Sequence, residues 1–276
     1  MSDVLYAYGI VRAGFAGTPP AGLDDASVSI IAQGDVAALV SRLAGREYAP
    51  AVIEQNSGDV AWLSPRAMAH DRVLTWAQEH GGVVPLPMFS MWGSEAALSQ
   101  SLRERAPVLA TIFARVAGAD EFGLRIHRRD AAMLEHIAEL DDEAAALRRE
   151  ADAAAPGQRY LLERKIAERA KAALRSTSQR MARELFDELR PYARASLARP
   201  LVPGGGSASE ATMVLNGAFL VAKDRIDAFR TCVGAQVRKH EPHGLSFDFT
   251  GPWPPYNFVG EEGSGASPMS RSGERS

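Results

Sequence analysis

Two histidine pairs, one cysteine and one glycine run are the places where this sequence offers chemistry. His70 stands beside Asp71, the kind of pairing in which a carboxylate orients an imidazole for acid–base work. No nucleophile or third partner is identifiable around them, so a structural hydrogen bond is the better reading. His240, Glu241, Pro242 and His243 spell HEPH. Helical zinc sites space their histidines as H-E-x-x-H. Here the second histidine comes one residue too soon and Pro242 interrupts the helix. A solvated helix end, where histidine suits the dipole, fits better than a metal site. Cys232 lies between Val233 and Phe229 in a helical pattern and reads as a buried, inert thiol. Gly204-Gly205-Gly206 has no lysine after it and opens no helix, so it reads as a flexible link rather than a phosphate cradle. No G-x-S-x-G elbow occurs. His127, Arg128 and Arg129 make a small basic spot at a strand end, read as a solvated edge. The expected set of catalytic, cofactor-binding and metal-ligating residues is therefore empty.

The elements that carry these residues belong to a chain of 276 residues, enough for two modest domains with a core each. Hydrophobic residues make up 46% and charged residues 24%, the balance of an ordinary globular protein. A net charge of −3 argues against binding nucleic acid through overall charge. One cysteine excludes an internal disulfide and suits a reducing compartment. The N-terminus lacks the basic and apolar regions of a signal peptide. No apolar run reaches the roughly 20 residues a membrane helix needs. A cytoplasmic location is expected.

Residues 1–118 read as an α+β domain. Val4 to Val11 is a strand with two tyrosines, and a Gly/Pro-rich loop follows from Gly14 to Asp25. Val28 to Ala32 and Val36 to Val40 form a hairpin around Gln33, Gly34 and Asp35. Ser64-Pro65 resembles a helix start, with serine as N-cap and proline in the first turn. That helix runs to about His80, and Gly81-Gly82 ends it. Val83 to Leu86 begins another strand. Ser94 caps a helix to Val116 with Leu98, Leu102, Leu109 and Phe113 on its apolar stripe.

Residues 119–259 follow the order β–α–β–β–α–β, the ferredoxin-like arrangement. Phe122 to His127, Leu197 to Val202, Thr212 to Val221 and Leu245 to Phe249 supply the strands. A helix from about Arg225 to Lys239 takes Asp224 as its N-cap. The first helix is expanded into a hairpin, residues 131–195, broken only at Pro156-Gly157. Met133, Ile137, Leu140, Ala144 and Leu147 step by four, three, four and three. Folding back pairs Leu147 with Ile166 and Leu140 with Leu174, the seam of a two-helix coiled coil. The arm before the turn carries seven acidic residues and two arginines; the arm from Arg159 to Arg199 carries eleven basic and five acidic. The charge asymmetry orients the pair, while the seam supplies most of its stability. Residues 260–276 are Gly/Ser/Glu-rich and expected to be disordered.

The run TGPWPPYNFV, Thr250 to Val259, combines Pro252, Trp253, Pro254, Pro255, Tyr256 and Phe258. Proline density predicts polyproline II, which places Trp253 and Tyr256 on one face. They either latch onto the sheet of the second domain or meet a partner; the latch is favoured because the run continues a core strand. Pro252 and Pro255 also satisfy P-x-x-P, a weak match to proline-recognition ligands.

Several separated segments resemble the GvpF/GvpL family of gas vesicle proteins: LYAYGIV near the N-terminus, Met68 to Trp92, GQRYLLERK from Gly157 to Lys165, and TGPWPPYNFV. One departure stands out. Pro87, Met88 and Phe89 occupy places where the family usually has Arg-Phe-Gly, so an arginine and a glycine's backbone freedom are both lost. The resemblance implies a non-enzymatic accessory or minor structural role in building gas vesicles. It also implies contacts with the small hydrophobic shell protein and other vesicle proteins, without cofactor, nucleic acid or membrane. Partner contacts are expected on the helical hairpin, with its turn at Pro156, Gly157 and Tyr160, and on the exposed faces of the first domain, ahead of the terminal run, which reads first as a latch. The alternative is an enzyme or ligand-binding protein with a pocket formed by His70, Asp71 and the Pro85–Trp92 loop. A third reading has the basic arm recruit an acidic partner.

Overall fold

The computed structural model describes residues 3–201 and 211–260, which divide into two compact units. The first comprises residues up to Glu121 together with the segment from Pro252; the second spans Phe122–Gly251.

In the first unit, β1 (Val4–Arg12) is buried along nearly its whole length. It pairs antiparallel with β3 (Val36–Leu43), which pairs with β2 (Ser29–Gln33). Gln33 faces Val36 across a two-residue turn. Gly34 takes φ +62 there, a conformation that costs glycine nothing. Helix α1 (Pro50–Asn56) precedes α2 (Val60–His80). Helix α2 does not begin at Ser64: Asp59 is its N-cap, with its side chain accepting the Ala61 N–H. Pro65 therefore lies inside the helix. It forfeits one backbone bond, while the extra turn brings Trp62 into play. The C-terminal stop falls at Gly81, and the Gly81 and Gly82 N–H groups both bond the Ala77 carbonyl.

The strand expected from Val83 is split. β4 (Val84–Pro85) and β5 (Met91–Trp92) both pair with β1, and residues 86–90 loop out between them. Helix α3 (Glu95–Val116) starts where Ser94 accepts the Ala97 N–H, and it buries Leu98, Leu102, Leu109 and Phe113 as its spacing requires. Helix α2 packs on Tyr6, Tyr8, Val11 and Leu39 through Ala69, Val73, Leu74 and Ala77.

The second unit holds a four-stranded sheet in the order β7-β8-β6-β9. Its strands are β6 (Ala119–Arg129), β7 (Ala195–Ala198), β8 (Ala211–Ala222) and β9 (Leu245–Trp253). Phe122, Leu124 and Ile126 alternate into one core with Phe219, Phe229, Leu185, Leu189 and Leu245.

The helical run is broken more often than its periodicity suggests. α4 (Asp130–Glu135), α5 (Ile137–Leu140) and α6 (Asp142–Ala153) precede the 34-residue α7 (Pro156–Leu189). The breaks come at His136 and at Asp141, which leaves helical geometry to cap α6 by accepting the Ala144 N–H at 3.0 Å. α8 (Ile226–His240) follows a short 3-10 turn, and Asp224 lies within that turn instead of capping the helix.

The terminal run is not polyproline II. Residues through Trp253 extend β9, an edge strand, where a proline costs no ladder bond, and Tyr256–Phe258 forms a 3-10 turn. The glycine link and the tail from 261 onward lie outside the described residues.

Candidate functional site

His70 sits on the inner face of α2 and is 3% exposed. Its Nδ1 lies 2.6 Å from the Tyr6 hydroxyl and its Nε2 3.2 Å from the Leu86 carbonyl. The carbonyl can only accept, so Nε2 carries the hydrogen and Tyr6 donates to Nδ1. The Tyr6 oxygen in turn accepts the Phe89 N–H. Ser90 accepts the Ala7 N–H and Tyr8 accepts the Leu86 N–H. Residues 86–90 are thus pinned to β1 from both ends and through the middle. Burial holds the His70 pKa down to about 4 and pushes Tyr6 well above the usual phenol range.

Tyr6 and Leu86 take both ring nitrogens of His70, while burial pushes the Asp71 carboxyl above its usual range. The two therefore form no acid–base pair. The crevice beside the 85–87 segment is lined by Ile10, Leu102, Leu109 and Ile112, with neither His70 nor Asp71. Its volume is about 20 Å³, room for about one water and no larger ligand. The three parts of the expected pocket share no one cavity: His70 is buried in the core, and Asp71 lines a separate open groove of about 480 Å³ with Met68, Arg72 and Trp76.

Phe89 holds φ +63. Its ring stacks on Trp62 with centroids 5.6 Å apart and meets Tyr6 edge-on at 6.4 Å. Arg66 lies over the Trp62 ring at 4.3 Å and pairs with Asp24 at 3.0 Å. Tyr48 bonds the same Asp24.

Beyond Trp253, where β9 ends, the terminal run finds its bonds in the first unit. Glu121, 5% exposed, accepts the Asn257 backbone N–H at 2.8 Å and also its side-chain amide. Arg115 donates to the carbonyls of Phe258 and Gly260 at 3.3 Å each. Pro254, Pro255, Phe258 and Val259 are buried, whereas Pro252 is exposed and Trp253 and Tyr256 remain 40% and 41% exposed. The prolines and Phe258 are inserted, while the two larger aromatics keep a face in solvent. Nothing in composition signalled this division; Asn257, with a donor on both backbone and side chain, was the residue to notice.

In the hairpin, α6 and α7 meet along two apolar clusters. Ala151, Leu162 and Ile166 gather Leu147, and Ile137, Ala144, Ala170 and Ala173 gather Leu134. Leu140 and Leu174, expected to pair, both pack against the sheet core. Arg169 bridges the arms, 2.7 Å from Asp141 and 3.1 Å from Glu143. Arg169 holds the Asp141 carboxyl below the usual carboxylate range. At the turn, Pro156 and Gly157 are exposed, and Tyr160 and Leu161 are 70% and 59% exposed.

Between α5, α6, α7 and α8 lies an open polar groove of about 1150 Å³. His240 and His243 reach it, but not as a metal pair. His240 is buried, and His243 pairs with Glu139 at 3.3 Å. Arg128 is no solvated edge. It is buried, donating to Asp130 at 2.6 Å and to Ser178 at 3.2 Å. Burial pushes the half-buried Cys232 thiol above its usual range.

This mixed helix-and-sheet fold is that of solved gas vesicle proteins. The crystal structure of the gas vesicle protein GvpF from Anabaena sp. PCC7120 superposes with a TM-score of 0.65 at 20% identity, covering 94% of this chain and 97% of that one. GvpF from Microcystis aeruginosa does so with a TM-score of 0.65 at 19% identity, covering 94% and 99%. The family described as Gas vesicle synthesis protein GvpL/GvpF matches residues 4–260, and the chain belongs to it. Among its relatives are gas vesicle proteins L and F of Streptomyces sp. (strain CB03234). They are 26% and 29% identical over 258 residues, 92% of this chain in each case and 92% and 98% of the relatives.

Proposed function

We propose that this protein is a non-enzymatic accessory or minor structural component of gas vesicle assembly, binding the small hydrophobic shell protein and other vesicle proteins. The observation that carries the proposal is the family match across residues 4–260. It is supported by the use His70 makes of both nitrogens in holding a loop, which leaves none for catalysis.

In this reading the chain works as two α+β domains. The second is ferredoxin-like, consistent with its strand order, and its first helix is expanded into a coiled-coil hairpin. Pro254, Pro255 and Phe258 act as the latch. Trp253 and Tyr256, with Pro252 beside them, and the turn at Pro156, Gly157 and Tyr160 present aromatic contacts to partners. Partly exposed aromatics favour such contacts because they bury large area at low entropy cost. The protein works in the cytoplasm, at the vesicle. Among the described residues no helix is long and apolar enough to cross a membrane.

The test is a clean deletion combined with capture of shell protein on the immobilised full chain. Loss of vesicles and capture weakened by Tyr160→Ala or Trp253→Ala are expected. Normal vesicles together with no capture would overturn the proposal.

A further inference from the structure

We propose that Glu139 and His243 form a proton-operated clasp across one end of the polar groove. The clasp is closed when His243 carries both ring protons and open when it carries one. The inference stands apart from the function proposed above.

The Glu139 carboxylate lies between two imidazoles. Its Oε1 is 3.3 Å from His136 Nδ1, and its Oε2 is 3.3 Å from His243 Nε2. The rings meet edge-on at 5.7 Å. His243 Nδ1 lies 3.0 Å from the Lys239 carbonyl. That carbonyl can only accept, so Nδ1 holds the hydrogen. In a neutral ring Nε2 is then a bare lone pair, facing carboxylate lone pairs with nothing to share. A second proton turns that contact into a charge-assisted hydrogen bond. His136 has no such constraint, because its Nδ1–H can donate in the neutral ring. The switch therefore resides in His243 alone.

The two sides of the clasp come from different segments of the chain. Glu139 rides on α5, four residues flanked by the non-helical His136 and Asp141. His243 belongs to the α8–β9 turn. Gly244, at φ +87, packs so closely there that a Cβ would come within 2.5 Å of the Met133 nitrogen.

Several of the surrounding charges are paired with one another, while Asp142 and Arg183 also line the groove. From α6 and α7, Asp141 and Glu143 are paired with Arg169. Arg180 binds Glu184 and the Leu140 carbonyl. From α8, Lys239 reaches Glu188 at 3.5 Å. Burial lowers the His240 pKa from the ordinary histidine range. From β6, Arg129 donates to the Glu241 carbonyl. His136 and His243 hold the Glu139 carboxyl below its usual range, so it remains ionised where histidines titrate.

The experiment is amide hydrogen exchange on the full chain at about pH 6 and about pH 8, expressed as protection factors so that the intrinsic pH effect cancels. In the wild type, protection at the Asp141 and Gly244 amides should fall about two- to fivefold at the higher pH, the range of an exposed ion pair. Glu139→Gln should abolish the response, because its amide can donate to the bare Nε2 at the higher pH and accept from Nε2–H at the lower one. His136→Ala should retain it. Equal wild-type protection at both pH values overturns the proposal. So does a response that survives Glu139→Gln or vanishes in His136→Ala. Protection that appears only on adding Zn²⁺ would replace the proton with a metal ion and overturn it too.

Discussion

Phe89 stacks on Trp62 at 5.6 Å from a backbone held in the left-handed region, φ +63. An L-residue there costs roughly 1–2 kcal/mol, and an aromatic pair returns about 0.5–1.5 kcal/mol beyond the area it buries. The loop thus keeps glycine-like geometry without glycine, with the ring offsetting the strain. Phe89→Ala should lose the stack and keep the strain, destabilising by about 2–3 kcal/mol. Phe89→Gly loses the stack but relaxes the backbone, so it should be the milder change by about 1 kcal/mol. Urea unfolding of the three proteins gives the order; alanine at or above glycine would contradict the account.

His70 sets an acid limit. The unfolded chain takes up the histidine proton near the ordinary value of about 6.5, whereas the folded protein resists it until about 4. The unfolded state therefore binds more protons through that window, and stability falls as pH drops through it. Its full extent is on the order of 3 kcal/mol. His70→Gln, which can donate to Leu86 and accept from Tyr6 but does not titrate, should flatten this part of the profile. Unfolding midpoints at about pH 7 and about pH 4.5 measure it. Parallel profiles for the two proteins would remove His70 as the cause.

Local rules made much of the fold legible. The Gly34 hairpin, the Ser94 cap and the alternation of Phe122, Leu124 and Ile126 follow from turn chemistry, capping and period two, and each stands where its residues place it. The start of α2 was not legible, because Ser64-Pro65 carries a good local start signal that tertiary contacts override. The additional turn delivers Trp62 to Phe89 and Arg66. The break at Asp141 hid behind an unbroken apolar stripe, since a capped restart can preserve spacing. The seat of Asn257 on Glu121 joins residues 136 apart in sequence, which no local pattern encodes.

Asp141 does two jobs with one carboxylate, capping α6 and gripping Arg169 at 2.7 Å. Asp141→Asn should keep the cap and lose the charge pair; Asp141→Ala loses both and should cost about 1–2 kcal/mol more than the asparagine variant. Because the folded carboxyl is held below the usual range, its contribution is present above about pH 4 and vanishes as pH falls through the depressed folded value. Wild type and Asp141→Asn should therefore converge in stability in acid. A gap that persists there would mean the charge pair is not its source.

In the terminal run Asn257 is bonded to Glu121 while Trp253 keeps a face in solvent, and two substitutions separate the roles proposed for them. Asn257→Ala removes the side-chain donor to the buried Glu121 carboxylate, which should destabilise the chain by about 1–3 kcal/mol. Trp253, 40% exposed, fastens less, so Trp253→Ala should cost below about 1 kcal/mol. Partner capture should reverse the order. With both proteins held well below their unfolding midpoints, Trp253→Ala should capture less shell protein than Asn257→Ala. If the asparagine variant is the weaker binder while still folded, the exposed tryptophan face is not the contact and the turn that seats on Glu121 is.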